Sequence, residues 1–481
     1  MSRKTLDKTL KPHWVWAIAL GSSIGWGAFV LPVEWMGKAG PLGVIIGFAI
    51  GAILMGLIAV SYGFLIEKFP VSGGEFAYSF ISMGKTHAFI CGWFLTLGYI
   101  CIVALNASAF ALMFKFVFPD FTMNFKLYSI AGWDVYLVEI LVATVALAFF
   151  TYLNIKGSGL SGKMQFIFCL IMLGGVFILT TLVGGTPQGS FENIQPLFKP
   201  EISTLAAVLS IVAIAPWAYV GFDNIPQAAE EFNFSSKKAF SLIILAIVFA
   251  LVLYSMMIIA TAMANPWEQM VEAGYIWGTG AAISDLLGTT GLFLLVLALS
   301  MGIFTGLNGF TISSSRLLFA MSRAKILPPA FSKLHPKSGT PYVGIIFTAI
   351  IASLAPWFGR EVLLWVVDMS SIGVSIAYFY TSYTAYTFYT WNSTTKVENA
   401  NVTTNPTKKF IALLGMTASL VFMLLLLLPF SPAYLGVESR IALVIWIGLG
   451  VAFYLANRKT YNQLSNAELS YLILGENAAK K

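Results

Sequence analysis

The chain has 481 residues, of which 58% are hydrophobic, 15% aromatic and 10% charged, and so small a charged share cannot cover a water-soluble core, which excludes a soluble globular protein. The net charge of +7 is dispersed between apolar runs and not gathered in one basic domain, which excludes a nucleic-acid-binding patch and fits the inner-side placement of Lys and Arg in membrane proteins. Cys91, Cys101 and Cys169 lie in apolar stretches without CxxC spacing, and His13, His87 and His335 are scattered, so a disulfide framework, a metal site and enzymatic chemistry all lack support.

After a polar tail over 1–13, apolar runs long enough to cross a bilayer predict spans at 14–36, 41–66, 86–118, 132–154, 162–184, 203–231, 239–264, 290–320, 342–358, 363–391, 409–430 and 440–457. The expectation is an all-α integral membrane protein of twelve transmembrane helices. With the N-terminus inside, the 28 Lys and Arg divide 22 to 6, the outer six being Lys38, Lys115, Lys126, Lys199, Arg360 and Arg440. That split predicts a multi-pass protein of the plasma (inner) membrane with both termini cytoplasmic. Gly43, Gly47 and Gly51 in span 2 recur every fourth residue and read as a close-packing stripe, with Gly56 nearby. The stretch 265–289 reads as a longer outer loop of a length that often holds short helices or lids, and 458–481 as a cytoplasmic tail with little order.

Two spans carry helix-weakening residues at mid-membrane. Span 1 contains Gly21-Ser22-Ser23-Ile24-Gly25-Trp26-Gly27, and span 6 contains Ala215-Pro216-Trp217-Ala218-Tyr219-Val220-Gly221-Phe222-Asp223. Gly21 to Pro32 and Ala215 to Pro226 each span 11 positions, about 194 residues apart. Matching interruptions in two halves point to an inverted-repeat transporter with a midplane site, whereas Gly and Pro that merely pack or kink a helix would leave no site.

Four stretches taken together resemble the amino acid/polyamine/organocation transporter superfamily. They are Ile24-Gly25-Trp26-Gly27-Ala28-Phe29 with Pro32, Tyr219-Val220-Gly221-Phe222-Asp223 through Glu230-Glu231, Ser315 to Arg323 with Leu327-Pro328, and Asp368-Met369-Ser370-Ser371-Ile372-Gly373. The resemblance covers spans 1 to 10 and implies two inverted five-helix repeats, helices 1–5 over about 14–184 and 6–10 over about 203–391. Helices 11 and 12, over 409–457, are additions. It implies a permease that moves an amino acid or related amine by alternating access. An amine or polyamine/amino acid exchanger is the nearest alternative, and a transporter-like nutrient sensor is a rival of another class. The expected partners are the small-molecule substrate, a coupling proton or sodium ion, and the lipid bilayer. No cofactor is expected, because no phosphate-cradling Gly-rich loop ending in Lys-Ser/Thr is present.

A broken helix frees N–H groups at the start of one half and C=O groups at the end of the other, which suits a zwitterion. By resemblance, the carbonyls of Ser23, Trp217 and Val220 receive the ammonium, the amides of Trp26 and Gly27 receive the carboxylate, and Trp217 closes over the substrate. The alternative for Trp217 is a core-filling ring. The candidate substrate-binding residues are Ser22, Ser23, Ile24, Gly25, Trp26 and Gly27 in span 1, Asn106 in span 3, and Ala215, Trp217, Ala218, Tyr219, Val220 and Gly221 in span 6. The candidates for ion coupling are Asp223, Thr305 and Met172. Trp26 stands where many relatives have a small or hydroxylated residue, which implies a smaller pocket or a cation packed against Trp26, Trp217 or Tyr219. Met172 stands where proton-coupled relatives carry a lysine, which puts lysine-based coupling in doubt. Glu139 reads as a buried hydrogen bond and Asp368 as a cap at the start of span 10, while Asp223 divides evenly between a transport role and a structural one. Arg316 and Arg323 read as inner-side anchors and ties between inner gates.

Overall fold

The computed structural model describes residues 3–130, 133–200, 202–359, 362–390, 405–429, 431 and 434–475. Among them, nine helices are long and apolar enough to cross a membrane. They are Pro41–Lys68, Lys85–Val117, Leu137–Lys156, Ser158–Gly185, Ala239–Ala264, Gly278–Arg323, Val362–Thr390, Pro406–Leu427 and Val437–Gln463. Such runs must be helical in hydrocarbon, where each backbone polar group needs a partner within its own segment. Pro41 and Pro406 open two of them at the first turn, where a missing N–H costs no helical bond.

The three remaining predicted spans are interrupted or short. Span 1 is divided into Pro12–Ile24, Gly27–Val30 and Pro32–Ala39. Span 6 is divided into Thr204–Val212, Ala215–Tyr219 and Asn224–Gln227. Span 9 is Tyr342–Ala352 followed by a 3-10 turn, Ala355–Phe358. Lys85–Val117 is the most enclosed of the nine long helices, whereas Pro406–Leu427 and Val437–Gln463 expose Phe410, Leu420, Val444 and Ile445 as lipid-compatible surface. The glycine stripe works as close packing: a Cβ at Gly47 would stand 2.5 Å from Ile211 Cβ, and one at Gly51 2.7 Å from Ala215 Cβ, while Gly56 meets nothing within 4 Å.

Several expectations need correction. Span 4 starts at Leu137 and not at 132, because Lys126–Ile130 and Trp133–Tyr136 pair as an antiparallel hairpin that satisfies its own backbone. The segment after span 2 holds a helix, Gly74–Met83, that no span boundary anticipates. The stretch 265–289 is largely helical: Trp267–Glu272 forms one short helix, and Gly278–Arg323 begins inside it and bends at Gly288 (φ 61°, ψ −152°). The expected unstructured tail is helical as well. Ser465 opens Asn466–Leu474 with a capping box, its Oγ accepting the Glu468 amide at 3.2 Å while Glu468 Oε2 accepts the Ser465 amide at 2.8 Å. Leu469, Leu472, Ile473 and Leu474 bury on this helix, and Arg3 Nε donates to the Leu472 carbonyl at 3.2 Å. Trp391, Arg360 and residues 476–481 lie outside the described residues.

Candidate functional site

In span 1 the first helix stops where Gly25 adopts φ 51°, ψ −150°, a region open essentially to glycine alone. Helix resumes at Gly27. The amides of Trp26, Gly27 and Ala28 therefore fall across the interruption and donate to no carbonyl among the described residues. In span 6 the helix ends as Val220 becomes extended and Gly221 takes φ 137°. The amide that a continuous helix would hand to the Trp217 carbonyl goes instead from Gly221 to Asp223 Oδ1, at 2.7 Å.

The two breaks touch. A Cβ at Gly221 would lie 2.5 Å from the Ser23 nitrogen and 2.7 Å from Ser23 Oγ, so only glycine lets the chains approach. Ser23 Oγ lies 2.9 Å from the Ala19 carbonyl and 3.1 Å from that of Tyr219, its one proton shared across the junction. Sequence reasoning missed Tyr254. Its hydroxyl, from span 7, stands 3.0 Å from the Ser23 carbonyl and 2.9 Å from that of Ala218, and so serves carbonyls freed by both breaks. The Ser23 carbonyl, expected to face an ammonium, has this tyrosine as its donor. The one hydroxylated aromatic in the mostly apolar run 239–264 was the available signal.

Trp26 and Trp217 stand edge to face with ring centroids 6.4 Å apart. Both are buried, and a Cβ at Gly27 would lie 2.5 Å from Trp217 Cη2. Trp26 Nε1 has no partner among the described residues, nor has Asn106 Oδ1, whose amide nitrogen donates to the Ile102 carbonyl at 2.9 Å. Asn106 Oδ1 lies 3.8 Å from where a Gly25 Cβ would stand, which aims it at the break. Tyr219 turns its ring away, donating to the Phe48 carbonyl at 2.9 Å, and Ala215 packs against Gly51, so these two candidates offer the site only backbone.

Span 8 backs span 1 through a glycine seam. A Cβ at Gly302 would lie 2.5 Å from the Gly25 carbonyl, one at Gly306 2.6 Å from Asn106 Nδ2, and one at Gly309 2.0 Å from Ser22 Oγ. Ser22 and Ile24 are buried here, Ser22 Oγ without a partner among the described residues. Thr305 Oγ1 lies 2.9 Å from the Gly21 carbonyl, which places it on the span 1 side of its helix. Gln165 Nε2 reaches the Ala17 carbonyl at 3.2 Å and that of Thr305 at 3.1 Å. Met172, on the same helix as Gln165, is fully buried and brings no titratable group. Trp277 Nε1 donates to the Phe29 carbonyl at 2.9 Å, tying the stretch 265–289 to the resumed half of span 1.

Further along the chain from Asp223, Arg323 grips Glu230 with both terminal guanidinium nitrogens at 2.8 and 2.9 Å, and Arg3 pairs with the same carboxylate. Arg316 Nε meets Glu231 at 2.8 Å while its Nη2 donates to Ser158 at 2.8 Å. The Arg316 side chain is 1% exposed, so it is a buried tie and not a solvent-facing anchor. Glu139 pairs with Lys115 at 3.1 Å. Asp368 does not cap its own helix; it accepts from Ser439 Oγ at 2.8 Å and the Gly436 amide at 3.3 Å, serving the start of Val437–Gln463, because it lies well past the first turn of Val362–Thr390. Glu75, buried in Gly74–Met83, was also missed, although an acid directly after a Gly-Gly pair in an apolar chain was a readable sign.

The sequence profile of the amino acid permease family matches residues 14–453. A branched-chain amino acid permease of Bacillus subtilis, BcaP, is 27% identical over 375 residues, 73% of this chain and 76% of that protein. The methylthioribose transporter of the same organism is 26% identical over 77% of this chain and 79% of its own length. The chloroplastic cationic amino acid transporter 7 of Arabidopsis thaliana is 26% identical over 79% of this chain, which covers 65% of that longer relative.

Proposed function

We infer a transport cycle from one premise: the chain belongs to the amino acid permease family, a family of membrane transporters and not of enzymes. It carries a small neutral L-amino acid across the plasma membrane, with both termini cytoplasmic, by alternating access around the breaks in spans 1 and 6. The 22 to 6 division of Lys and Arg supports that orientation. The three interrupted or short segments, with the nine long helices, support a reading of twelve spans, and the matched breaks support two inverted five-helix repeats.

The observation that carries this reading is the set of amides at Trp26, Gly27 and Ala28, which make no hydrogen bond among the described residues, with Trp217 lying against Gly27. Donors at the start of a helix half, with its positive dipole end, suit a carboxylate. The Trp217 carbonyl, relieved of the Gly221 amide, and Asn106 Oδ1 suit the ammonium. Trp26 fills space next to these groups and favours a small side chain. A second reading follows from the Trp26–Trp217 pair: a decarboxylated amine held by cation–π contact. Among the relatives, one is named for methylthioribose, so a solute that is not an amino acid belongs in the test.

The test is a thermal-shift series on detergent-purified protein with the natural L-amino acids, their decarboxylated amines, choline, ethanolamine and methylthioribose, since a ligand that binds the folded state raises apparent stability by mass action. Stabilisation by L-alanine and other small zwitterions is the expected result. Stabilisation by amines alone would overturn the carboxylate assignment and make Trp26 part of a cation-binding wall.

A further inference from the structure

We propose that Asn224 and Ser313 form a transit station for the solute, a second and weaker hydrogen-bonding site on its way from the breaks to the cytoplasm. The proposal rests on the transport reading above and adds a site that the paired breaks do not include.

Asn224, in the short helix Asn224–Gln227, is fully buried, yet neither its amide nitrogen nor its side-chain oxygen has a partner among the described residues. The hydroxyl of Ser313 in span 8, fully buried as well, has none either. An unpaired buried amide carries the full desolvation penalty of its polar atoms, so a side chain kept only for the fold would be apolar here. Leucine has nearly the same shape and no such penalty. Asparagine at this position points to a partner that comes and goes.

The two residues lie at one junction of spans 1, 6 and 8. Gly302 meets Gly25, Thr305 meets Gly21 and Gly309 meets Ser22, so span 8 follows span 1 back toward its start. Ser313 comes one helical turn after Gly309, on the same face. Span 6 takes the same course, with Gly221 against Ser23 and Phe232 bridging Leu10, and Asn224–Gln227 packs against both other spans. Tyr99 joins the levels: its ring lies 5.6 Å from that of Phe310, and its hydroxyl donates to Asp223 Oδ2 at 2.9 Å. Asn224 directly follows Asp223, and Ser313 lies three positions beyond Phe310. With Ser22, whose hydroxyl is also unpartnered among the described residues, they form a succession of stranded polar groups leading away from the breaks.

Their chemistry suits a zwitterion in passage. An amide and a hydroxyl each offer a donor and an acceptor, so carboxylate and ammonium are both met, and neither group carries a charge that would hold the solute fast. When the half of span 6 that begins at Asn224 parts from span 8, the two side chains face the solute and the water that follows it.

The test uses the full chain, purified and in proteoliposomes, with radiolabelled L-alanine as the probe. Asn224→Leu raises the unfolding temperature of the ligand-free protein, because it removes the unpaired amide with little change of shape. The same variant keeps the thermal-shift response to L-alanine, which reads the site at the breaks, but exchanges L-alanine about tenfold more slowly. Ser313→Ala moves both readouts in the same directions, so a folding failure in one variant leaves the other. A lower unfolding temperature in both variants would show that these groups hold the fold, and unchanged exchange in both would show that the solute does not use them. Either result overturns the proposal. If the wild-type protein neither binds nor exchanges L-alanine, the transport reading fails, and the unfolding temperatures still decide whether Asn224 and Ser313 are stranded.

Discussion

Trp217 lies so close over Gly27 that a Cβ on that glycine would stand 2.5 Å from the ring's Cη2. The indole can therefore rest on the resumed helix of span 1 only because the residue beneath it has no side chain. Gly27→Ala displaces the ring, and Trp217→Ala removes it. Each lowers apparent substrate affinity by about tenfold or more, which is about 1.4 kcal/mol. Concentration dependence of uptake in proteoliposomes checks this, and unchanged kinetics in Trp217→Ala would remove it from the site.

At Gly25 the positive φ imposes a different penalty. Gly25→Ala strains the backbone by about 1–3 kcal/mol, and Gly25→Leu also blocks approach to the turn and abolishes binding. The thermal-shift response to L-alanine reads both effects. Normal binding by Gly25→Leu would show that the ligand does not use this turn.

Removing the hydroxyl of Tyr254 leaves the carbonyls of Ser23 and Ala218 buried without that donor. Tyr254→Phe is expected to cost about 1–3 kcal/mol, seen as a lower unfolding temperature. A variant as stable as the wild type would show that water or a rearranged neighbour takes the place of the hydroxyl.

Arg316 and Glu231 form a pair buried on both sides. Arg316→Met strands the carboxylate and destabilises by about 3–5 kcal/mol, whereas Arg316→Met with Glu231→Leu recovers most of the loss. Denaturation of the two variants in parallel separates an uncompensated charge from lost packing.

The amide and hydroxyl of Ser465 hold the Glu468 carboxyl below its ordinary range. Because its folded value is depressed, the stabilisation it gives to Asn466–Leu474 is present above the unfolded carboxyl value and is lost as pH falls through the folded one. Amide exchange in 466–474 is accordingly expected to lose protection on acidification in the wild type. Glu468→Gln is expected to be nearly indifferent over the same range.

The long helices and both breaks were legible because their causes are local. Apolar runs must be helical in lipid, and Gly25 and Gly221 mark places where only glycine accepts the backbone. Tyr254 and Glu75 left local signs and Arg316 was legible as a tie, but their partners were not, since these depend on which carbonyl, glutamine or glutamate lies opposite in the folded chain. Tyr219 shows the same limit from the other side, for its motif placed it at the break while Phe48 and Tyr254 hold its ring elsewhere. The C-terminal helix was readable in principle: Ser465 with Glu468 three positions on, followed by Leu469, Leu472 and Ile473, spells a cap and an apolar face. The tail's polar composition outweighed that pattern.

The seam of Gly302, Gly306 and Gly309 limits how this permease can diversify. Along the rear wall of the site every added methyl group would collide with the Gly25 carbonyl, Asn106 or Ser22, so that wall has no room to evolve by growth. The front, where Trp26 and Trp217 are the largest groups present, has a single open direction, which is truncation. Homologues that share the seam are therefore expected to differ in solute size mainly through the residue at the position of Trp26, and a laboratory search for new cargo would do best to start there.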